Sequence, residues 1–139
     1  TVREATNEVA KLQAKRNVLL VVFDYIGLAE SKGESQNVRV SKTSQGLKQM
    51  AVSLDVCVIG VSQLNRAIEM RGTGEPKLSD LRDSGSLEQD ADKVIFLHTE
   101  VGSSKVVLAK NRNGAAGIGL RELAFLRNYA VFADMHKGE

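Results

Sequence analysis

Two short, uninterrupted apolar runs rich in β-branched residues, Val18 to Phe23 and Val56 to Val61, constrain this chain more than any other feature. Each has the length of a strand, and neither alternates with polar residues, which is the pattern of a strand covered on both faces of a parallel sheet. Parallel neighbours need a crossover between them. The intervening residues supply one, because Leu47, Met50, Ala51 and Leu54 fall on one apolar stripe and predict a helix over 41–54. A helix also opens the chain: Thr1-Val2-Arg3-Glu4 has the form of a capping box, and Val2, Ala5, Val9, Ala10 and Leu12 keep helical spacing up to Arg16. Residues 27–42 are polar and punctuated by Gly and Ser, and read as a mobile loop.

Further along, short helices are expected over Leu78 to Arg82 and Ser84 to Gln89, and a third apolar strand over Lys93 to Leu97. The last third changes character. Lys105 to Ala109 and Leu120 to Leu126 read as strands around Lys110 to Gly117, whose Asn113-Gly114 predicts a tight reversal, and Tyr129 to Ala133 as a short final strand. The fold class is therefore α/β, with parallel strands followed by a small antiparallel hairpin region. A length of 139 residues with 42% hydrophobic residues fits a single domain with one core.

Composition removes several functional classes. Nineteen Lys and Arg against seventeen Asp and Glu leave a formal charge of +2, so bulk electrostatics make no case for nucleic-acid binding and any such contact must come from local placement. No apolar run reaches membrane length and no charged-then-apolar segment opens the sequence, which points to a cytoplasmic chain with no span or signal peptide. Cys57, the single cysteine, has no internal disulfide partner, and Val56, Val58 and Ile59 around it predict a buried strand thiol. Two histidines and one cysteine, scattered singly, argue against zinc.

In an open parallel sheet the ligand crevice lies beyond the carboxyl ends of the strands. Asp24 follows Val21-Val22-Phe23 and has the form of a Walker B aspartate, a carboxylate at a buried strand tip that holds Mg²⁺ through water; the competing reading is a strand-end aspartate that caps the next turn. Gln63 follows the second run and is placed to sense a γ-phosphate or orient a water, unless it is simply solvated. Lys110 and Arg112, after the fourth strand, can neutralise phosphate charge or form a solvated hairpin face. The segment Leu78-Ser79-Asp80-Leu81-Arg82-Asp83-Ser84-Gly85-Ser86-Leu87-Glu88-Gln89-Asp90-Ala91-Asp92 holds five acids and one arginine ahead of an apolar strand. A capped surface helix, with Ser84 as cap and Glu88 on the N-terminal amides, explains part of that string and leaves the rest.

Taken together, LSDLRDSGSLEQDAD, the upstream SQLNR at 62–66 and the downstream KNRNGAAG at 110–117 resemble, in order, motifs of the RecA-like ATPase domain of DnaB-type replicative DNA helicases. The resemblance covers roughly residues 1–133. It implies a RecA-like P-loop NTPase sheet, with Asp24 positioning Mg²⁺ beside ATP and Gln63 linking the nucleotide site to DNA-facing loops. It implies that the side chains or backbone amides of Arg82, Asp83 and Gly85 touch phosphates of single-stranded DNA. Lys110 and Arg112 match a lysine and an arginine finger delivered to the ATP of the neighbouring, identical subunit of a ring, usually a hexamer. Primase and a helicase loader are the implied partners, and a bacterial or phage-encoded cytoplasmic protein the implied source.

Asp83 stands where the family commonly has Glu, Gly27 where Gln often follows the Asp-Tyr pair, and Ala115 where Pro is frequent in the hairpin. No GxxxxGKS or GxxxxGKT phosphate loop occurs in the 139 residues. The expectation is thus the C-terminal half of an ATPase domain, a partial sheet without its phosphate-loop strand, inactive alone and binding ATP weakly or not at all. Strands 56–61 and 93–97 are then expected to expose unpaired edges, to be covered by repacking or association. A RecA or RadA type recombinase core, and a non-catalytic phage or mobile-element module that assembles with helicase subunits, are the alternative readings.

Overall fold

A computed structural model describes residues 1–28, 35–64, 68, 75–81, 85–100 and 103–135. The chain divides into two compact units, Thr1–Arg66 with Ser79–Ala91, and Ala67–Leu78 with Asp92–Glu139.

The first unit begins with helix α1, Val2–Gln13. Its capping box forms as expected, with the Thr1 hydroxyl accepting from the Glu4 N–H at 3.3 Å and the Glu4 side chain returning to the Thr1 backbone. Strand β1, Leu20–Phe23, pairs in parallel with β2, Cys57–Gly60, in the register Leu20 to Cys57 and Phe23 to Gly60. Helix α2, Gln36–Leu54, is the crossover, and Asp55 ends it in the left-handed conformation at φ 50°, which aspartate tolerates. The short helix α3, Gly85–Asp90, packs on α2. Val9, Ile26, Val40, Leu47, Met50 and Leu87 form the core of this unit. Gln13 ties three elements together: its amide NH₂ donates to the Leu54 carbonyl at 3.5 Å and its Oε1 accepts the Val18 N–H at 2.7 Å.

Three expectations for this half need correction. Helix α2 starts at Gln36, so 36–40 are helical where a loop extending to 42 was expected; Val40 buries itself in the core, and that packing outweighs the lower helix propensity of the β-branched Val38 and Val40. The β1–β2 pair is covered on one face alone among the described residues. Val21, Phe23 and Val58 pack against the core, whereas Leu20, Val22 and Ile59 are about half exposed. Cys57 lies on that open face and is exposed, not buried.

The second unit is a four-stranded antiparallel sheet in the order β3, Lys93–Glu100; β4, Ser103–Asn111; β5, Ile118–Leu126; β6, Val131–Asp134. The third strand, expected over Lys93 to Leu97, extends to Glu100 and pairs antiparallel with β4. Burial alternates along it, with Val94 and Phe96 buried and Ile95 and Leu97 exposed. Among the described residues β2 pairs only with β1, and β3 only with β4, which leaves the two edges foreseen from the sequence. Phe125 and Phe132 are direct cross-strand partners whose rings stack at 4.7 Å. The fully buried Ser104 hydroxyl is satisfied by Thr99 Oγ1 at 3.1 Å. The β4–β5 connection is not the tight Asn-Gly reversal that was predicted. It runs from Arg112 to Gly117, and the reversal is completed by Gly117 at φ 75°, whose N–H donates to the Leu108 carbonyl at 2.8 Å.

Candidate functional site

The parallel register aligns the carboxyl ends of β1 and β2. Phe23 lies opposite Gly60, the Val61 N–H donates to the Phe23 carbonyl at 2.9 Å, and the Ile26 N–H donates back to the Val61 carbonyl at 2.9 Å. Asp24 and Gln63 therefore leave the same end of one strand pair, both exposed. Gly60 makes this turn possible: a Cβ there would come within 2.8 Å of the buried Ile26 side chain, which folds over the strand end. Among the described residues neither the Asp24 carboxylate nor the Gln63 amide is engaged in a hydrogen bond or ion pair, so neither is spent on holding the fold. A hard oxygen donor at a strand tip suits Mg²⁺, which retains several waters and takes one or two carboxylates together with substrate phosphates. The described residues contain no group of three or more His, Cys, Asp or Glu that could hold a metal ion.

Gly85 opens α3 in the same unit and is exposed, with no atom within 4 Å of where a Cβ would stand. Arg82 and Asp83 lie outside the described residues. Two side-chain bonds clamp α3 to α2: Ser44 Oγ donates to Asp90 Oδ2 at 2.7 Å, and Ser41 and Ser86 hydroxyls meet at 2.8 Å.

Lys110 and Arg112 belong to the second unit, at the far end of β4. Lys110 lies within β4, and Arg112 stands in the turn directly after its last residue, Asn111. Lys110 pairs with Val94 across the ladder, and Arg112 Nη1 is 3.3 Å from Asp92 Oδ1. Sequence reasoning assigned no role to Asp92, Ser44 or Asp90. Their spacing along the chain is not informative, since each acts through a tertiary pairing.

A family model described as the DnaB-like helicase C terminal domain matches residues 1–134. The chain belongs to this family. The replicative DNA helicase DnaB of Mycobacterium leprae is 45% identical in an alignment 125 positions long that covers 82% of this chain and 21% of that protein. The DnaB of Geobacillus stearothermophilus is 37% identical in an alignment 139 positions long that covers 91% of this chain and 30% of the relative. Among solved structures, one described as an ATPase domain superposes with a TM-score of 0.87 at 34% identity, over 98% of this chain and 52% of that one. A DnaB-like replicative helicase, solved in a study of its interactions with primase, gives the same TM-score and identity over 35% of its length. This DnaB-like chain thus spans between about a fifth and a third of the curated relatives described here. Membership in the DnaB-like family confirms the RecA-like α/β class and sets aside the recombinase alternative. No helix among the described residues is long and apolar enough to cross a membrane.

Proposed function

We propose that this chain is the C-terminal part of the ATPase domain of a ring-forming, ATP-dependent replicative DNA helicase, one that moves along single-stranded DNA and unwinds the duplex. The observation that carries the reading is the shared carboxyl end of β1 and β2. There Asp24 and Gln63 stand together with side chains uncommitted to the fold, in a chain of the DnaB-like family. Bacterial or phage cytoplasm, a primase and a loader fit the same reading, as does a hexameric ring of identical subunits.

Each group has a distinct task in that scheme. The Asp24 carboxylate would hold Mg²⁺ through water, and the metal, when bound, would neutralise charge on the phosphates. Gln63 would orient the attacking water or register the γ-phosphate. Lys110 and Arg112 would reach the nucleotide of the adjacent subunit and stabilise charge that grows on the transferring phosphoryl group. DNA would be held along its phosphates by Arg82, Asp83 and the Gly85 amide. Acidic residues outnumber basic ones between Arg71 and Lys93, six to four, so main-chain amides suit this contact better than a basic patch. Little sequence preference and a strong salt dependence follow.

The test uses the full-length helicase. Arg112→Ala should abolish DNA-stimulated hydrolysis while nucleotide binding stays largely intact. Mixing Arg112→Ala subunits with Asp24→Asn subunits should restore part of the hydrolysis, because some sites then combine a sound Asp24 with a neighbour's sound Arg112. Failure of the mixture to recover activity, with mixed rings shown to form, would rule out delivery in trans.

A further inference from the structure

The end of β4 is held from one side. Pairing between β4 and β5 stops at Leu108 with Ile118, whereas pairing between β3 and β4 continues through Val94 with Lys110 to Lys93 with Asn111. One more bond extends that ladder, from the Arg112 N–H to the Asp92 carbonyl at 2.8 Å. The side chains then repeat the pairing, with Arg112 Nη1 3.3 Å from Asp92 Oδ1. Asp92 therefore grips Arg112 twice, once through the backbone and once through the guanidinium.

The two side chains are 48% and 53% exposed, a setting in which an ion pair contributes little to stability. Its effect is on direction. An arginine is a long, rotamer-rich side chain, and a carboxylate held just ahead of the neighbouring strand restricts where the guanidinium points. A guanidinium has five N–H donors in a planar fork, so one contact to a carboxylate is compatible with others to a phosphate.

Asp92 also has a telling place in the chain. It comes two residues after Asp90, the last residue of α3, which Ser44 holds against α2. Gly85 begins the same helix. A single short segment, Gly85 to Asp92, thus has the residue read as a DNA contact at one end and the partner of Arg112 at the other.

We propose that Asp92 is the positioning residue of the Arg112 finger. This rests on the reading of Arg112 as a finger acting on a neighbour's nucleotide.

The experiment is steady-state hydrolysis by the full-length helicase, with and without single-stranded DNA, for Asp92→Asn, Asp92→Glu, Arg112→Ala and the Asp92→Asn/Arg112→Ala pair. Asp92→Asn keeps the backbone carbonyl that accepts from Arg112, so the ladder persists while the charge is lost. Its DNA-stimulated kcat should fall by about tenfold to a hundredfold, the scale expected when a reacting group is misplaced by about an ångström, with KM for ATP nearly unchanged. Asp92→Glu should recover much of that loss, and the pair should be no slower than Arg112→Ala alone. An unchanged or raised kcat in Asp92→Asn overturns the positioning role while leaving the finger standing. Retention of DNA-stimulated hydrolysis by Arg112→Ala overturns the finger itself, and the positioning role with it.

Discussion

Ser44, in the middle of α2, donates its hydroxyl to the Asp90 carboxylate at the end of α3 across 2.7 Å, and this bond joins residues 46 positions apart in the chain. Ser44 is 6% exposed, so the bond sits at the edge of the core rather than in solvent. A six-residue helix has too few internal hydrogen bonds to persist alone, and α3 depends on such anchors and on buried Leu87.

Ser44→Ala should accordingly cost about 1–3 kcal/mol, the range for removing a partner from a charged, partly buried group. Urea unfolding gives the total, and hydrogen exchange should show the amides of 85–90 losing protection ahead of those in α1. Uniform loss across both helices would mean that α3 is not separately anchored.

Gly85 tests the DNA reading from the opposite direction. The space where its Cβ would stand is open and its φ is not in the left-handed region, so Gly85→Ala should leave stability unchanged or raise it by up to about 1 kcal/mol. In the full-length helicase the same methyl should keep a phosphate from the backbone amide and weaken single-stranded DNA binding several-fold. Unaltered DNA affinity would place the contact elsewhere.

Nucleotide binding by these 139 residues alone should be weaker than about a millimolar in calorimetric titration with ATP and Mg²⁺. Asp24 and Gln63 contact the metal and the terminal phosphate in the proposed scheme, and no phosphate loop is present to supply a ring of amides. Micromolar binding would mean that the β1–β2 end holds phosphates by some other means.

The open strand faces predict self-association. Val22 is 59% exposed and Ile95 57%, each on an apolar strand at or next to an edge left unpaired among the described residues. Light scattering on the isolated chain should show a mass that rises with concentration. Val22→Lys and Ile95→Lys should each lower it while changing stability by less than about 0.5 kcal/mol, as usual for surface sites. Persistence of the assembly in the doubly substituted chain would direct attention to other surfaces.

Much of this protein was determined locally and was therefore legible in the residues themselves. The capping box at Thr1, the stripe of Leu47 and Met50, the β-branched runs at β1 and β2, and the polar groups just after each run all depend on short-range spacing. That spacing sufficed for the α/β class and for placing Asp24 and Gln63 at strand ends. The ordered motifs LSDLRDSGSLEQDAD and KNRNGAAG carried the family, which the match over residues 1–134 bears out.

What the residues could not determine depended on which surfaces met. An apolar run reads the same whether one face or both are covered, so the half-exposure of Leu20, Val22 and Ile59 and the exposed thiol of Cys57 became visible only once helices were seen on a single side. Strand direction is equally silent in composition, because Lys93–Glu100 has the same alternation in a parallel or an antiparallel ladder. The start of α2 turned on the burial of Val40, a tertiary contact that outweighed local propensity. The pairing of Asp92 with Arg112 depended on β4 outrunning β5 and staying on β3, a matter of register between strands. Local chemistry chose the elements and the reactive groups; the long-range packing and register decided which faces stayed open and which acid came to hold the arginine.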